Sequence, residues 1–339
     1  MYINYYNLMS KNKKIPSLPQ LLKSKIYKTG QTRGADDDVI FQNRVNRNST
    51  VLIPYRYFDS CKKTPDNKGV FENGFIVLIN PEDYFGTKDF DKTIASKGVV
   101  LGVNALLFYY SRWQWNTFNP VARGLKIATT RTGNLGGQYV ARVPATTSDN
   151  DEKIQQGFTS SSLKGAGIRV YEYACSEQIK LCQIQLEYLF WKCYDSEDVI
   201  EKHGMSVEDI KTRLLHMEEE AKRLQLDDEK QLIASRILNA RNKAICPLCL
   251  EEISASGFFS KVQQAEGREV LDLTVTQLNL FHIQELRIGQ FNHRIYNLGW
   301  GHHHCNMVVK DSGIDDTLMW MNKVIEKNKE YGFDFNETK

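Results

Sequence analysis

A chain of 339 residues with 41% hydrophobic side chains is longer than one average domain and can bury sizeable cores, which excludes global disorder. The net charge of +3 is too small to hold a polyanion by bulk attraction. It is unevenly spread, however: residues 1–60 carry ten Lys/Arg against four acidic residues and 196–231 carry six against eleven, so particular faces would do any such work.

In chain order, residues 1–35 are basic and broken by Pro16, Pro19 and Gly30, which suggests partly extended chain. From about 39 to 170 the signals are mostly β. Short runs rich in β-branched and aromatic residues occupy 51–58, 74–79, 98–103 and 105–110, and more nearly alternating runs follow at 125–131 and 137–143. Tyr109, Tyr110, Trp113 and Trp115 read as core. The polar tract 145–167 reads as a long loop. After Cys175 the period becomes helical: Ile179, Cys182, Leu186 and Leu189 suit a buried helix, and Ser206 caps a second one with Ile210, Leu214, Met217 and Ala221 on one face. A third helix is expected over 227–243. No stretch approaches the roughly 20 apolar residues of a membrane span, and Met1-Tyr-Ile-Asn-Tyr-Tyr6 does not lead into the apolar core of a signal peptide. Cys61, Cys175, Cys182 and Cys193 show no disulfide spacing and read as buried thiols in a reducing, cytoplasmic setting.

The densest chemistry lies at the C-terminus. Cys246-Pro-Leu-Cys249 can turn both thiolates toward one ion, and His302-x-x-Cys305 supplies two more ligands that share a face if the segment is helical. His303 and His304 are alternatives to His302. Four such ligands make a closed tetrahedral zinc site, structural because no position stays open for water. A second set has no use for zinc: His282 ends a β-like run that starts near Val270, Asn297 follows fifteen residues later, and Asn306 nine after that. A strand-end histidine near a helix-borne amide suits one hard divalent ion and an activated water.

These residues, over about 245–312, resemble the HNH or ββα-metal (His-Me finger) nucleases, in the subgroup that carries a four-ligand zinc site. The resemblance implies that His282 is the general base, that Asn297 orients the base and its loop, and that Asn306 holds a catalytic Mg²⁺ or Mn²⁺. Lys310 then lies near phosphate, and His293 supports the loop or touches substrate. One departure is Phe281, where many members carry a metal-binding Asp or His; Asn279, Glu285 and His293 are candidate substitutes.

The expected fold is α+β: a mainly β DNA-recognition domain (1–170), a helical connector with a possible dimer contact (171–244), and a zinc-bound nuclease module (245–339). Arg44, Arg47, Arg123, Lys126, Arg131 and Arg142 are candidates for DNA contact, since arginine reads guanine edges and basic side chains reach phosphate. The family layout implies a type II restriction endonuclease that acts on double-stranded DNA as a homodimer, with a cognate DNA methyltransferase in the same system but not as a subunit. A nuclease directed by methylated bases and a non-catalytic zinc-stabilised DNA-binding protein are the alternatives.

Overall fold

The computed structural model describes residues 15–27, 50–64, 69–130, 134–142, 154–156, 168–260, 276–310 and 312–333. In chain order it begins with α1 (Gln20–Tyr27), a helix that buries Leu22 and Ile26 where two prolines had suggested extended chain. Next come β1 (Val51–Pro54), α2 (Phe58–Cys61), β2 (Phe75–Ile79), α3 (Pro81–Gly86), α4 (Phe90–Ala95), β3 (Ala105–Tyr109), α5 (Arg112–Thr117), β4 (Tyr139–Arg142), β5 (Gln155–Gln156) and β6 (Ile168–Arg169). Four longer or shorter helices follow, α6 (Ser176–Trp191), α7 (Ser196–Lys202), α8 (Val207–Arg223) and α9 (Glu229–Ala234). The chain closes with β7 (Leu278–His282), β8 (Leu298–His302), α10 (His303–Val309) and α11 (Ile314–Glu330).

Two compact units, each discontinuous in sequence, share these elements. One comprises Met1–Tyr27, Gln183–Phe281 and Gly299–Val309; the other comprises Lys28–Cys182, His282–Leu298 and Lys310–Lys339.

The second unit is built on a six-stranded sheet in the order β5-β4-β3-β2-β1-β6. All its neighbours are parallel except β4 and β5. Successive residues of the strands enter two separate cores: Val51, Ile53, Val77, Ile79 and Leu107 join one, and Leu52, Ile76, Leu106 and Val140 the other. Burial on both faces explains the unbroken apolar runs, which are the mark of parallel strands. The expectation of a mainly β domain is therefore corrected to mixed α/β. Parallel neighbours need crossover connections, and α2, α3, α4 and α5 provide them in helices too short to show a 3.6 period. Their end signals were nonetheless present: Pro81 opens α3 ahead of Glu82 and Asp83, and Ser111 and Gln114 form a capping box on α5.

Several expected strands also shorten. Residues 55–61 turn into a 3-10 turn and α2, 98–103 hold turns and one isolated bridge from Leu101 to Ala105, and over 125–130 Ile127 makes one isolated bridge to Tyr139 in place of a strand. Tyr109 is buried and Trp115 packs on the core, but Trp113 is 59% exposed and Tyr110 47%, so only half of that aromatic group is core. Most of the tract 145–167 lies outside the described residues.

In the first unit, Ser206 caps α8 as expected, accepting from the Asp209 amide. Ile210, Met217 and Ala221 are buried as the period required, and so, against expectation, is Arg213. Its guanidinium pairs with Glu187 of α6 at 2.6 and 2.8 Å, and the Tyr27 hydroxyl donates to the same carboxylate at 2.5 Å. The expected helix over 227–243 stops at Ala234. The chain then turns through left-handed Arg236 and Asn242 into the cysteine segment. Phe258 stacks edge-on with Phe190 and Trp300, and the Trp300 indole donates to the Leu186 carbonyl at 2.8 Å. Cys61, Cys175, Cys182 and Cys193 are all buried free thiols, and burial pushes Cys182 up to about 12. No described helix is long and apolar enough to cross a membrane.

Candidate functional site

Residues 246–250 form a tight turn in which the Leu250 amide donates to the Cys246 carbonyl, and isolated β-bridges brace the segment at Ala244 and Ile245. This brings Cys246 and Cys249 to face His302 and Cys305, and the four ligand atoms lie within 4.8 Å of one another. His302 Nδ1 is 3.4 Å from Cys249 Sγ. His302 and Cys305 do not share a helix: His302 is the last residue of β8 and Cys305 sits in the first turn of α10. The strand–helix junction aims both at the turn. His303 points elsewhere, its Nδ1 accepting from Asn279 Nδ2 at 2.8 Å, and His304 is exposed.

The four side chains of the cluster shift one another's ionisation. Burial pushes the Cys246 thiol up, yet hydrogen bonds from His302 and from backbone amides outweigh it and bring it down to about 6. Burial, then the neighbouring Cys246 and Cys249, pushes Cys305 up to about 12. Cys249 is raised too, by burial and by Cys246. One thiolate suppresses the others because negative charges this close repel. A divalent cation reverses that relation and lets every thiol ionise. The donor set and its closeness fit a four-coordinate soft metal ion such as zinc.

β7 pairs with β8 in a two-stranded ribbon, and α10 follows without a break, so the segment has the order strand, strand, helix. Phe281 is completely buried on β7, and Gly301 of β8 is glycine because a Cβ there would lie 2.5 Å from the Phe281 ring. Phe281 is thus a packing residue and offers no ligand. Asn306, on α10, is half-buried and its amide donates to the Leu280 carbonyl of β7 at 3.5 Å. Lys310 is exposed, just past the end of α10 in the left-handed region.

His282 ends β7 and opens the loop that returns at Leu298. Asn297, only 2% exposed, clamps this loop: its Oδ1 accepts from the Gln284 amide at 2.7 Å, and its Nδ2 donates to the carbonyls of Gln284 at 3.0 Å and Asn292 at 2.6 Å. Asn292, which no sequence pattern marks, adds a bond from its Nδ2 to the Glu285 carbonyl at 2.6 Å. Ile288 and Phe291 anchor the loop in the larger core of the sheet unit. His293, 1% exposed, faces the base candidate, with its Nδ1 3.3 Å from His282 Nε2. Burial lowers His282 to about 4. Burial, then the charge of its neighbour, lowers His293 to about 3, so both rings are neutral at neutral pH. Glu285, a possible ligand, is instead tied to Arg287 at 2.6 Å.

Of the basic candidates, Arg123 is exposed but lays its guanidinium 4.2 Å from the Phe85 ring centre. Lys126 is exposed, and Arg142 lies on β4 opposite Gln155. Arg44, Arg47 and Arg131 lie outside the described residues.

A family model described as BstXI restriction endonuclease matches residues 24–303, most of the chain, including Cys246, Cys249, His282, Asn297 and His302. No curated protein matches. Among solved structures, one described as the crystal structure of a type II restriction endonuclease is similar over 47% of this chain, at 14% identity and a TM-score of 0.29. The chain spans 58% of that protein's length. By the extent of the family match, this chain belongs to the BstXI restriction endonuclease family.

Proposed function

We propose that this chain is a sequence-specific DNA endonuclease that hydrolyses phosphodiester bonds by HNH chemistry, with His282 as the general base. The observation that carries the reading is the strand–strand–helix order of β7, β8 and α10, with a neutral histidine closing the first strand and Asn297 clamping the loop behind it. A neutral imidazole is the form able to take a proton from water. Membership in a restriction endonuclease family supports DNA as the substrate.

The Cys246, Cys249, His302 and Cys305 set would hold a structural zinc, tying the cysteine turn to the β8–α10 junction. Asn306 offers a hard oxygen donor for a catalytic Mg²⁺ or Mn²⁺. When bound, that ion would stabilise negative charge on the phosphate and on the leaving oxygen. Lys310 would lend a cation to the phosphate backbone. Specificity would reside in residues 1–170, with Lys126, Arg142 and the further basic positions Arg44, Arg47, Arg123 and Arg131 as the side chains to test. A double-strand break at a defined site is most simply made by two chains related by a two-fold axis, so we propose a homodimer on DNA and a partner methyltransferase acting separately.

Burial of Phe281 favours one other reading, a non-catalytic zinc-stabilised DNA-binding protein. Digestion of unmodified and methylated phage DNA with Mg²⁺, followed by sequencing of fragment ends, decides. Defined ends from unmodified DNA support the proposal. Cutting of methylated DNA alone indicates a modification-dependent nuclease, and binding without cutting indicates the decayed scaffold.

A further inference from the structure

The side chain of His293, which faces His282, makes no hydrogen bond to the backbone of its own loop among the described residues. Asn292 and Asn297 supply side-chain-to-backbone bonds that fold residues 283–297, and Arg294 adds one to the Gln284 side chain. His293 supplies none that a loop-stabilising residue would need: its Nε2 has no hydrogen-bond partner among the described residues, and its Nδ1 meets His282. The ring centres are 5.4 Å apart and the facing nitrogens 3.3 Å. That difference is nearly two ring radii, so the nitrogens point at one another as in a hydrogen bond. Burying a polar ring at 1% exposure with one nitrogen unpartnered costs free energy, which the single contact to His282 only partly offsets.

We propose that His293 is a positioning residue whose Nδ1 accepts a hydrogen bond from His282 Nε2–H, holding the base in the tautomer with a bare Nδ1. The inference rests on the HNH reading above. A neutral imidazole carries one N–H and one lone pair, so fixing the proton on Nε2 leaves Nδ1 to act on water. In that step a water O–H bond breaks and a His282 Nδ1–H bond forms. The water oxygen bonds to phosphorus, the P–O bond to the leaving oxygen breaks, and that oxygen takes a proton from solvent. His293 accepts from the resulting imidazolium without itself changing protonation, as the third member of a nucleophile–base–orienter set does.

The test compares two polar substitutions in the full chain. Asparagine places an amide group where the Nδ1 of histidine lies, and glutamine places it near Nε2. His293→Gln should lower kcat about 10–100-fold with KM for DNA unchanged, and His293→Asn should recover most of that loss. Melting temperature and zinc content monitor folding, and His293→Leu serves as the apolar control. Equal kcat for the Asn and Gln variants, or His293→Leu within about threefold of wild type, overturns the inference. His282→Ala is measured alongside. If it cleaves normally, the HNH reading itself fails; if it is inactive while the His293 variants match wild type, only the present inference fails.

Discussion

The cysteine cluster and the loop after β7 both bury polar groups, but they satisfy them by opposite means. The loop satisfies its backbone from within, because Asn297 and Asn292 carry neutral amides that match the backbone groups around them. The cluster does not, since burial and the neighbouring Cys246 hold back the ionisation of Cys249 and Cys305, and a bound cation would relieve both. A neutral network is complete when the chain folds, whereas a charged one is complete when its ion arrives. The comparison can be broken from either side.

The largest effect is expected from the cluster. Cys246→Ser or Cys305→Ser should abolish the bound metal and unfold the cysteine segment, because structural zinc contributes roughly 10–16 kcal/mol to folding in small zinc modules. Elemental analysis should find about one zinc per wild-type chain. A metal-free variant with unchanged melting and cleavage would show that the cluster needs no ion. Brief EDTA treatment should act differently, stopping cleavage reversibly, with Mg²⁺ restoring it before zinc is lost.

Replacing the base comes next. His282→Ala should reduce cleavage by about 10²–10⁴-fold while target binding, read by gel shift without Mg²⁺, stays within a few-fold. A smaller effect is expected from the loop itself. Asn297→Ala leaves the Gln284 amide and two carbonyls without their partner, costing about 3 kcal/mol of stability. Zinc content should stay at the wild-type value; its loss would mean that the loop and cluster are not independently satisfied.

The smallest expected effect is a pH dependence of stability. Folded His282 and His293 lie at about 4 and about 3, below the ordinary value of 6.5. Above pH 6.5 neither the folded nor the unfolded chain binds these protons, and their contribution is fully present. As pH falls, the unfolded chain takes up protons that the folded chain refuses, so stability should drop by about 2 kcal/mol between pH 7 and 5.5. Urea titrations across that range should show a shallower slope for His293→Asn, and identical slopes would remove His293 from the linkage.

Legibility in the sequence followed the range of the interactions. Ser206 as a helix cap and the apolar face of α8 were readable because caps and helical periods act within a few residues. The burial of Arg213 was not, because its partner Glu187 is 26 residues away on α6. The sheet unit reads as mainly β in sequence because a strand buried on both faces shows only an apolar run, and its crossover helices are too short to show a period. Asn297 was legible through its spacing from His282, whereas Asn292 carries no such signal.

By itself the amino-acid sequence determined the candidate ligand types, their spacing, and the histidine and asparagine that bracket the loop, since these are matters of which chemical groups occur and how far apart. The spacing already favoured His302 over His303 and His304; tertiary structure supplied the reason that ring meets the cysteines, because the end of β8 turns it toward the 246–250 turn. It alone decided that Phe281 is core, through the space left by Gly301 across the ribbon. It also alone set His293 against His282, eleven residues apart, because the clamped loop folds one ring onto the other. Covalent order limits which groups can meet; packing and hydrogen-bond satisfaction select which of them do.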